Sequence, residues 1–598
     1  MDILRQAINK VDDTVGRSII GRTFRLDGSG HEQEIKNTRF LTELRAGLTT
    51  FFTMAYIISV NASIISDSGA TCVCTNAQDP TCLTDPNYNQ CLLEVKRDLI
   101  TSTAAIAGLA SFLFGLITNM PVALAPGMGL NAYFAYQVVG FHGTGHLSYG
   151  SALAAVFIEG FIFIFLALLG MRQWLVRILP TSIKVASGCG IGLFLSIIGL
   201  SYGAGIGAVV GGATATPLEL AGCQPEYLDS VTGVCNSHIM RNPQMWIGIF
   251  LGGIVTVYLM SYKFKSAIII GIALVSIISW PRSVPWTYFP HTEDGDQLFD
   301  FFKKVVTAHP IQHTLNAVDW NVLKAPSQFA LALFTFLYVD IIDCTATLYS
   351  MARFSGAVDQ KTGAFPRSTL AYCTDAFCIS IGALFGTSPV TAFIESGAGI
   401  AEGGRTGLTA MTTGLCFIIS IFFSPIFASI PPWATGCTLI IVGCMMMRQV
   451  NLINWRYIGD AVPAFVTLLF MPFSYSVAYG LIAGIMTYVA LNSLLYLTKL
   501  LTGGHVVPAD EDHREYWTWK PSGTLPWFFR FVSNPVAFIK GEDDAVSRVG
   551  SESDASFGKD GGASQSVVTR SEKGMDGVIV GSSEIGIKTG QGWGDKTY

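Results

Sequence analysis

The sequence predicts an all-α polytopic membrane protein with about fourteen spanning segments, arranged as two inverted repeats of seven. Hydrophobic residues make up 50% of the 598 residues and charged residues only 13%, against about 25% charged residues in soluble chains. Apolar runs follow one another from Leu41 to Leu501, and runs of about 18 or more residues are typical of spanning helices. Two short segments interrupted by Gly and Pro also lie at matching places in the two halves.

The apolar runs divide the chain into five regions. Residues 1–42 form a predicted cytoplasmic segment, 43–281 the first repeat (spans 1–7), 282–325 an outer loop, 326–500 the second repeat (spans 8–14), and 501–598 a cytoplasmic tail. The tail is rich in Gly, Ser, Asp and Lys, which predicts that it is largely disordered. The predicted spans are 43–65, 98–118, 120–140, 149–170, 182–200, 244–261, 266–281, 326–348, 368–386, 388–402, 407–428, 433–447, 459–475 and 477–500.

The charge pattern predicts the orientation of the spans. No apolar stretch lies near Met1, so no cleaved signal peptide is expected. Basic residues such as Lys263, Arg353, Arg405 and Arg448 fall in connections that are cytoplasmic if the N-terminus is inside. The loop 282–325 departs from this pattern, but long loops obey the rule poorly. Both termini are therefore expected in the cytoplasm. Seven spans per half then place the two repeats in opposite orientations.

Six cysteines lie in loops that this topology places outside the membrane. Extracellular cysteines commonly form disulfides, but their pairing cannot be read from the sequence. They are Cys72, Cys74, Cys82, Cys91, Cys223 and Cys235.

Spans 3 and 10 are predicted to be broken helices. Span 3 contains Pro121, Pro126 and Gly127, and span 10 contains Pro389 and several glycines. Proline and glycine disfavour a continuous helix, so each segment is expected to enter as extended chain and continue as a half-helix. Such backbone must line a cavity or be buried in protein, and half-helix N-termini offer N–H groups to a ligand. Close helix packing is the alternative explanation for these glycines.

Several acidic residues lie inside apolar runs, where ionisable groups are rare and usually functional. Asp340 and Asp343 are three residues apart and so share one helix face, and Glu395 lies at the second break. No Lys or Arg near them in sequence could neutralise them. Carboxyl groups of this kind tend to bind protons near neutral pH. Glu159 lies in mid-span and either forms an inter-helix hydrogen bond or serves as a second proton site, whereas Asp375 and Asp460 are expected to be structural.

The candidate site residues suit a neutral ligand with adjacent N–H groups. An ionised carboxylate such as Glu395 or Asp340 accepts two hydrogen bonds, Asn131 offers both a donor and an acceptor, and purine bases carry matching edges. Phe393 could stack on a ring or simply fill space. Asp343 could instead orient the site by bonding backbone or Thr53. Gly129 and Ser396 complete the candidate set.

Other function classes find little support in the sequence. The net charge of −5 is small, and no basic patch suggests nucleic acid. Neither a metal-ligand cluster, nor a nucleophile elbow, nor a phosphate loop occurs in a plausible context, so no enzymatic activity, metal or organic cofactor is expected. The coupling ion would be the proton. An anion carrier and a channel remain alternatives, although acidic side chains at the site would repel an anion.

At these residues the sequence resembles the AzgA-like purine permeases of the nucleobase/ascorbate transporter superfamily. The matching stretches lie at 47–61, 125–133, 338–343 and 386–407, and the likeness covers roughly residues 38–500, with a long outer loop like that of fungal members. A departure is Cys344-Thr345-Ala346, where bacterial relatives have Thr-x-Gly. The Glu-Asn-x-Gly signature of the xanthine–uric acid branch is not present, because Ser396 follows Glu395.

The resemblance implies import of hypoxanthine, adenine and guanine by proton symport at the plasma membrane. It implies a core domain of spans 1–4 and 8–11, a gate domain of spans 5–7 and 12–14, and a homodimer in the lipid bilayer. It places substrate and proton at Asn131, Asp340 and Glu395, with Asp343 beside them. A transporter of another nucleobase, such as uracil or xanthine, remains an alternative.

Overall fold

The computed structural model describes residues 2–73, 85–170, 180–201, 205–211, 218–229, 234–237, 239–264, 266–320, 325–358, 365–508 and 510–514. All of these belong to one compact unit, Met1–Ser533. Most of the predicted tail, residues 515–598, lies outside the described residues, as do Cys74 and Cys82.

Twelve apolar helices supply all of the predicted spans except the third and the tenth. Eight are long and apolar enough to cross a membrane, and four more are shorter. In chain order they are span 1, Phe40–Ser66, with a break between Met54 and Ile57; span 2, Pro86–Thr118; span 4, Tyr149–Leu169; span 5, Thr181–Leu200; span 6, Pro243–Ser261; span 7, Ala267–Ser279; span 8, Pro326–Phe354; span 9, Ser368–Leu384; span 11, Gly407–Ser420; span 12, Pro432–Met446; span 13, Ile458–Phe473; and span 14, Val477–Leu501.

The remaining elements connect or flank the spans. Short helices cover Asp2–Gly16, Ile19–Phe24, Glu293–Phe302 and Ser424–Ala428, and 3₁₀ turns cover Phe141–Gly143, Pro225–Tyr227, Met447–Leu452 and Glu511–His513. Strands β2 (Val209–Gly211) and β3 (Leu218–Leu220) form an antiparallel hairpin in the loop between spans 5 and 6.

Two span boundaries differ from prediction for local reasons. Span 2 begins at Pro86 rather than at residue 98, because the Asp85 side chain caps this end by accepting from the N–H groups of Asn87 and Tyr88. Span 11 ends at Ser420, and a separate short helix begins at Ser424, with Pro425 in its first turn.

Spans 3 and 10 are broken, as predicted, and each contains a short strand. Span 3 consists of strand β1 (Leu124–Pro126), the half-helix Met128–Ala132 and a π-helical turn that continues to Val138. Span 10 consists of strand β4 (Val390–Ala392) and the half-helix Ser396–Ala401. The two strands pair antiparallel and are fully buried, so their backbone groups are satisfied away from lipid.

The packing of the spans repeats with the halves exchanged. Span 2 packs on span 11, and span 9 packs on span 4 in the same way; span 1 packs on span 11, and span 8 on span 4. In the remaining spans, span 6 packs on span 12 and span 13 on span 5, while span 5 meets span 12 directly. These equivalences confirm two inverted repeats of seven and separate a core domain (spans 1–4 and 8–11) from a gate domain (spans 5–7 and 12–14).

Glycines allow the core spans to approach closely. A Cβ atom added at Gly414 of span 11 would lie 2.6 Å from the carbonyl oxygen of Gly108 on span 2, and one at Gly47 of span 1 would lie 2.6 Å from the carbonyl oxygen of Thr409. Small residues at such crossings let helix backbones meet within the membrane.

Disulfides join Cys72 to Cys91 and Cys223 to Cys235. The expectation of disulfides among the six loop cysteines is therefore confirmed for four of them.

We expect Gly414→Ala to destabilise the protein, because the added methyl group would press on the backbone of span 2. Overpacking of this kind costs about 1–3 kcal/mol. Thermal unfolding of the detergent-purified protein should show a lower midpoint for Gly414→Ala than for the wild type. Gly188→Ala is the control, since its Cβ would meet nothing closer than the Gln449 side chain at 3.5 Å. Equal midpoints for the two variants would contradict this view of the span 2–span 11 contact.

Candidate functional site

A cavity of about 130 Å³ lies between the broken spans of the core and the gate domain. A cavity of this volume has room for roughly ten water molecules. Its core wall includes Tyr56, Gly129, Asp343, Thr391, Phe393 and Glu395, and its gate wall includes Ile191, Leu195, Val442, Met445, Met446 and Gln449.

Glu395 is the carboxylate at the second break and lines the cavity. The Tyr56 hydroxyl donates to its Oε1 at 2.9 Å. Tyr56 is itself buried and lies where span 1 breaks between its two helical segments. The tyrosine therefore orients one carboxylate oxygen and leaves the other able to accept a hydrogen bond from a ligand.

Phe393 and Gly129 also line the cavity. Phe393 is held by the strand ladder, because its N–H donates to the carbonyl oxygen of Ala123 at 3.1 Å. Its ring is nearly buried and contributes a flat apolar wall. Gly129 lies in the half-helix of span 3, opposite Ile191 of the gate.

The first N–H groups of the half-helix in span 10 are not available to a ligand, contrary to the expectation from sequence. The backbone N–H groups of Ser396, Gly397 and Ala398 donate to the carbonyl oxygens of Phe393, Ile394 and Glu395, respectively. The tight turn uses these donors internally. The Ser396 hydroxyl accepts from the N–H of Ala123 at 3.0 Å, so it joins the two broken spans rather than lining the cavity.

Asp343, but neither Asp340 nor Asn131, reaches the cavity. Asp340 and Asn131 are fully buried, and their side-chain polar atoms have no hydrogen-bond partner among the described residues. Thr391 lines the cavity, but its hydroxyl oxygen is buried, and the residue lies near Asp340. The predicted set thus separates into a cavity layer (Gly129, Asp343, Phe393, Glu395) and a layer behind it (Asn131, Asp340, Ser396).

The suggested bond between Asp343 and Thr53 does not form. The Thr53 hydroxyl instead donates to the backbone carbonyl oxygen of Thr50 at 2.8 Å, with that of Glu395 at 3.5 Å.

Aromatic side chains join core and gate near the ends of spans 3 and 13. The rings of Tyr136 and Tyr475 lie 6.0 Å apart, and Tyr475 packs on Phe194 of span 5 at 5.2 Å. The Tyr136 hydroxyl donates to Asp67 at 2.8 Å. Core and gate are therefore in contact at this end, while the cavity separates them elsewhere.

Residues 41–482 match the profile of the Permease family that is named for xanthine and uracil permeases. The chain belongs to this family. The permease is 60% identical over 543 residues to the Aspergillus versicolor protein named efflux pump notK', covering 90% of this chain and 94% of the relative. It is 55% identical to a Schizosaccharomyces pombe protein provisionally named xanthine/uracil permease C887.17, covering 90% of this chain and 86% of the relative.

More distant relatives carry purine names. The guanine/hypoxanthine permease PbuO of Bacillus subtilis is 34% identical and is matched over 76% of this chain and 91% of its own length. Among solved structures, the permease is similar to the transmembrane domain of the cyanobacterial bicarbonate transporter BicA, with a TM-score of 0.48 and 17% identity, covering 74% of this chain and 97% of that one.

Sequence reasoning missed Tyr56, Thr391 and Gln449 as residues of the cavity. Tyr56 and Thr391 lie within the motifs that carry the family resemblance, but neither bears a charge, and only the fold brings Tyr56 to Glu395. Gln449 follows span 12 in the gate domain, and no local pattern in the sequence distinguishes it from other polar residues near span ends.

We expect Gly129→Ala to impair transport by the permease. An added Cβ would lie 2.5 Å from Cγ2 of Ile191, so it would push core and gate apart at the cavity. Uptake of a labelled nucleobase should fall several-fold in Gly129→Ala. It should recover in the Gly129→Ala/Ile191→Ala double variant, because residues in contact couple energetically. Gly188→Ala serves as the control on span 5. A double variant no better than Gly129→Ala alone would refute this contact.

Proposed function

We propose that this permease imports hypoxanthine, adenine and guanine by proton symport across the plasma membrane. The observation that carries the proposal is that one cavity contains both an oriented carboxylate and an aromatic side chain. Glu395 accepts from Tyr56 through one oxygen, and Phe393 lies two residues before it on the same wall.

The hydrogen-bonding groups suit a purine edge. Adjacent N–H donors of a neutral base can reach the second oxygen of Glu395, and a hydrogen bond to a charged group is worth about 1.5–3 kcal/mol. The amide of Gln449 can bond another ring position. The cavity, of about 130 Å³, is of a size for a small molecule.

The remaining walls are apolar and flexible. Met445 and Met446 of the gate face the core wall across the cavity, and methionine side chains adapt to flat ligands and contact aromatic rings favourably. A planar base between them and Phe393 would bury both of its faces.

The lining argues against an anion carrier. Asp343 and Glu395 are acidic, and no Lys, Arg or His is found among the residues that line the cavity. A bicarbonate or sulfate ion would meet two like charges and no compensating cation, which is unfavourable away from bulk water.

The relatives' names support a nucleobase substrate but differ in detail. One is named for guanine and hypoxanthine, one for xanthine and uracil, and one as an efflux pump. Uracil and xanthine therefore remain the alternative substrates. For a proton symporter, the direction of net movement follows from the combined substrate and proton gradients, so import is expected when the outside is acidic.

Proton coupling is inferred from carboxyl groups without basic partners nearby. Asp343 and Glu395 in the cavity and Asp340 behind it would take up a proton together with the base, with no other cofactor. Because core and gate each supply one wall, movement of the core against the gate would expose the site to one side at a time. Both termini are proposed to lie in the cytoplasm, with the permease forming a homodimer.

We expect cells that express the permease to take up radiolabelled hypoxanthine in a saturable way. Uptake should rise as the external pH falls, collapse with a protonophore, and be inhibited by unlabelled adenine and guanine more strongly than by uracil, xanthine or sulfate. Glu395→Gln should lower kcat/KM by about 30-fold or more, because the amide cannot accept as a charged group does.

The control for this experiment is Glu402→Gln, which makes the same change on the same segment at a residue paired with Arg45 outside the cavity. If surface-expressed permease transports no purine, the substrate assignment fails. If Glu395→Gln transports normally, the site assignment fails.

We expect Tyr56→Phe to raise the KM for hypoxanthine by about 3- to 15-fold, since it removes one hydrogen bond that orients Glu395. Protein abundance at the surface should not change, because the ring is retained. Concentration-dependent uptake would measure this, with Tyr258→Phe, an exposed residue of span 6, as the matched control. An unchanged KM would show that Tyr56 does not position the carboxylate.

A further inference from the structure

A second group of carboxyl groups lies in the core, behind the substrate cavity. Glu159 of span 4, Asp340 of span 8 and Asp375 of span 9 are each 0% exposed, and they lie close enough to interact electrostatically. None of them lines the cavity. Asp375, which the sequence indicates to be structural, is buried near the middle of span 9.

Contacts between the three spans hold this carboxyl cluster together. The thiol of Cys344, one helical turn after Asp340, donates to Oδ2 of Asp375 at 2.9 Å. Next to Glu159, a Cβ at Gly160 would lie 2.6 Å from the carbonyl oxygen of Ala376, so spans 4 and 9 touch at this level. The Ser380 hydroxyl donates across the same contact to the carbonyl oxygen of Phe157 at 3.0 Å.

A buried hydroxyl lies between this cluster and the cavity. Thr391 is 2% exposed, its Oγ1 has no hydrogen-bond partner by geometry among the described residues, and it lies near Asp340. Both oxygens of Glu159 and both of Asp340 are likewise buried without a partner there. Other atoms of Thr391 line the cavity, so this residue lies between the two sites.

The spans that carry the cluster contain almost no basic residues. The sequences of spans 4, 9 and 10 contain no Lys, Arg or His, and span 8 contains only Arg353, in its last turn. Lys96 and Arg97 lie on span 2, which packs on span 9, but they lie in its first, outer half. Among the described residues, the titratable groups that interact with the cluster include Asp343, Cys344 and Cys378, and Asp343 in turn interacts with Glu395.

Three ionised carboxylates so close together inside the membrane would repel one another, which is strongly unfavourable. Bound protons remove that charge. A carboxylic acid can also donate a hydrogen bond to a neighbouring carboxylate, which supplies the partners that Glu159 and Asp340 lack.

We propose that, of the acidic residues in and behind the cavity, the cluster of Glu159, Asp340 and Asp375 carries the transported proton, rather than Asp343 and Glu395 beside the purine, and that Thr391 joins this cluster to the cavity. This rests on the proposed proton symport. A proton entering from the cavity binds the Thr391 oxygen as the hydroxyl proton passes to Asp340. The hydroxyl is regenerated, and one carboxylate becomes a carboxylic acid.

Reconstituted protein tests this assignment with two transport measurements. Hypoxanthine accumulation driven by an imposed pH gradient requires proton binding, whereas exchange of labelled for unlabelled hypoxanthine at equal pH does not. Glu159→Gln and Asp375→Asn each replace one carboxyl group of the cluster with a neutral amide that cannot take up a proton. Each should lower accumulation by about tenfold or more while exchange stays within about twofold of the wild type. Asp460→Asn, the same kind of change at a buried carboxyl group of span 13, should retain both activities.

Wild-type accumulation and pH dependence in both Glu159→Gln and Asp375→Asn would overturn the proposal. So would equal loss of exchange and accumulation in both folded variants, because a role limited to substrate binding or structure predicts that result.

Infrared titration separates this proposal from the proposed function, because it requires no substrate. Purified wild-type protein should show the C=O stretch of protonated carboxyl groups at neutral pH, and Glu159→Gln should weaken that band. If hypoxanthine is not transported but the band behaves in this way, the proton site stands and the substrate assignment fails. Absence of the band in the wild type overturns the proton site, even if neither variant folds.

Discussion

The permease depends on the pairing of two short strands inside the membrane. β1 and β4 interrupt spans 3 and 10. Their backbone groups lack helical partners, and lipid could not satisfy them. They pair with each other instead, and Ser111 of span 2 both donates to and accepts from Leu124, at 2.9 Å in each case. This pairing brings the two inverted repeats together at one point. The ligand-facing side chains of both halves then converge on one cavity.

The division between core and gate follows from where close packing is possible. Within the core, glycines such as Gly414 and Gly47 let backbones touch, which favours a rigid unit. Across the cavity, the gate presents mainly apolar side chains, among them Ile191, Val442 and Met446. Apolar contacts are not directional, so such a surface can slide or separate without leaving hydrogen bonds unsatisfied. The polar groups that recognise a ligand lie mainly on the core.

Acidic residues form a continuous path from the cavity into the core. Glu395 interacts with Asp343, Asp343 with Asp340, and Asp340 with Glu159 and Asp375. Spans 4, 9 and 10 contain no basic residue, so bound protons would be a simple way to balance this charge. In the proposed mechanism, the core would hold a neutral base at its surface and a proton behind it, and both would move with the same domain.

The sequence by itself determined the number of spans, both helix breaks and the acidic character of the site, because lipid demands long apolar runs and makes Pro, Gly and buried acids conspicuous. Only the tertiary structure decided which of those residues face the ligand. From the sequence, Asn131 and Asp340 are as strong candidates for the ligand site as Glu395, yet they lie behind the cavity. Tyr56 and Gln449 have no comparable signal and yet line it. Such contacts join residues hundreds of positions apart, so local patterns do not encode them.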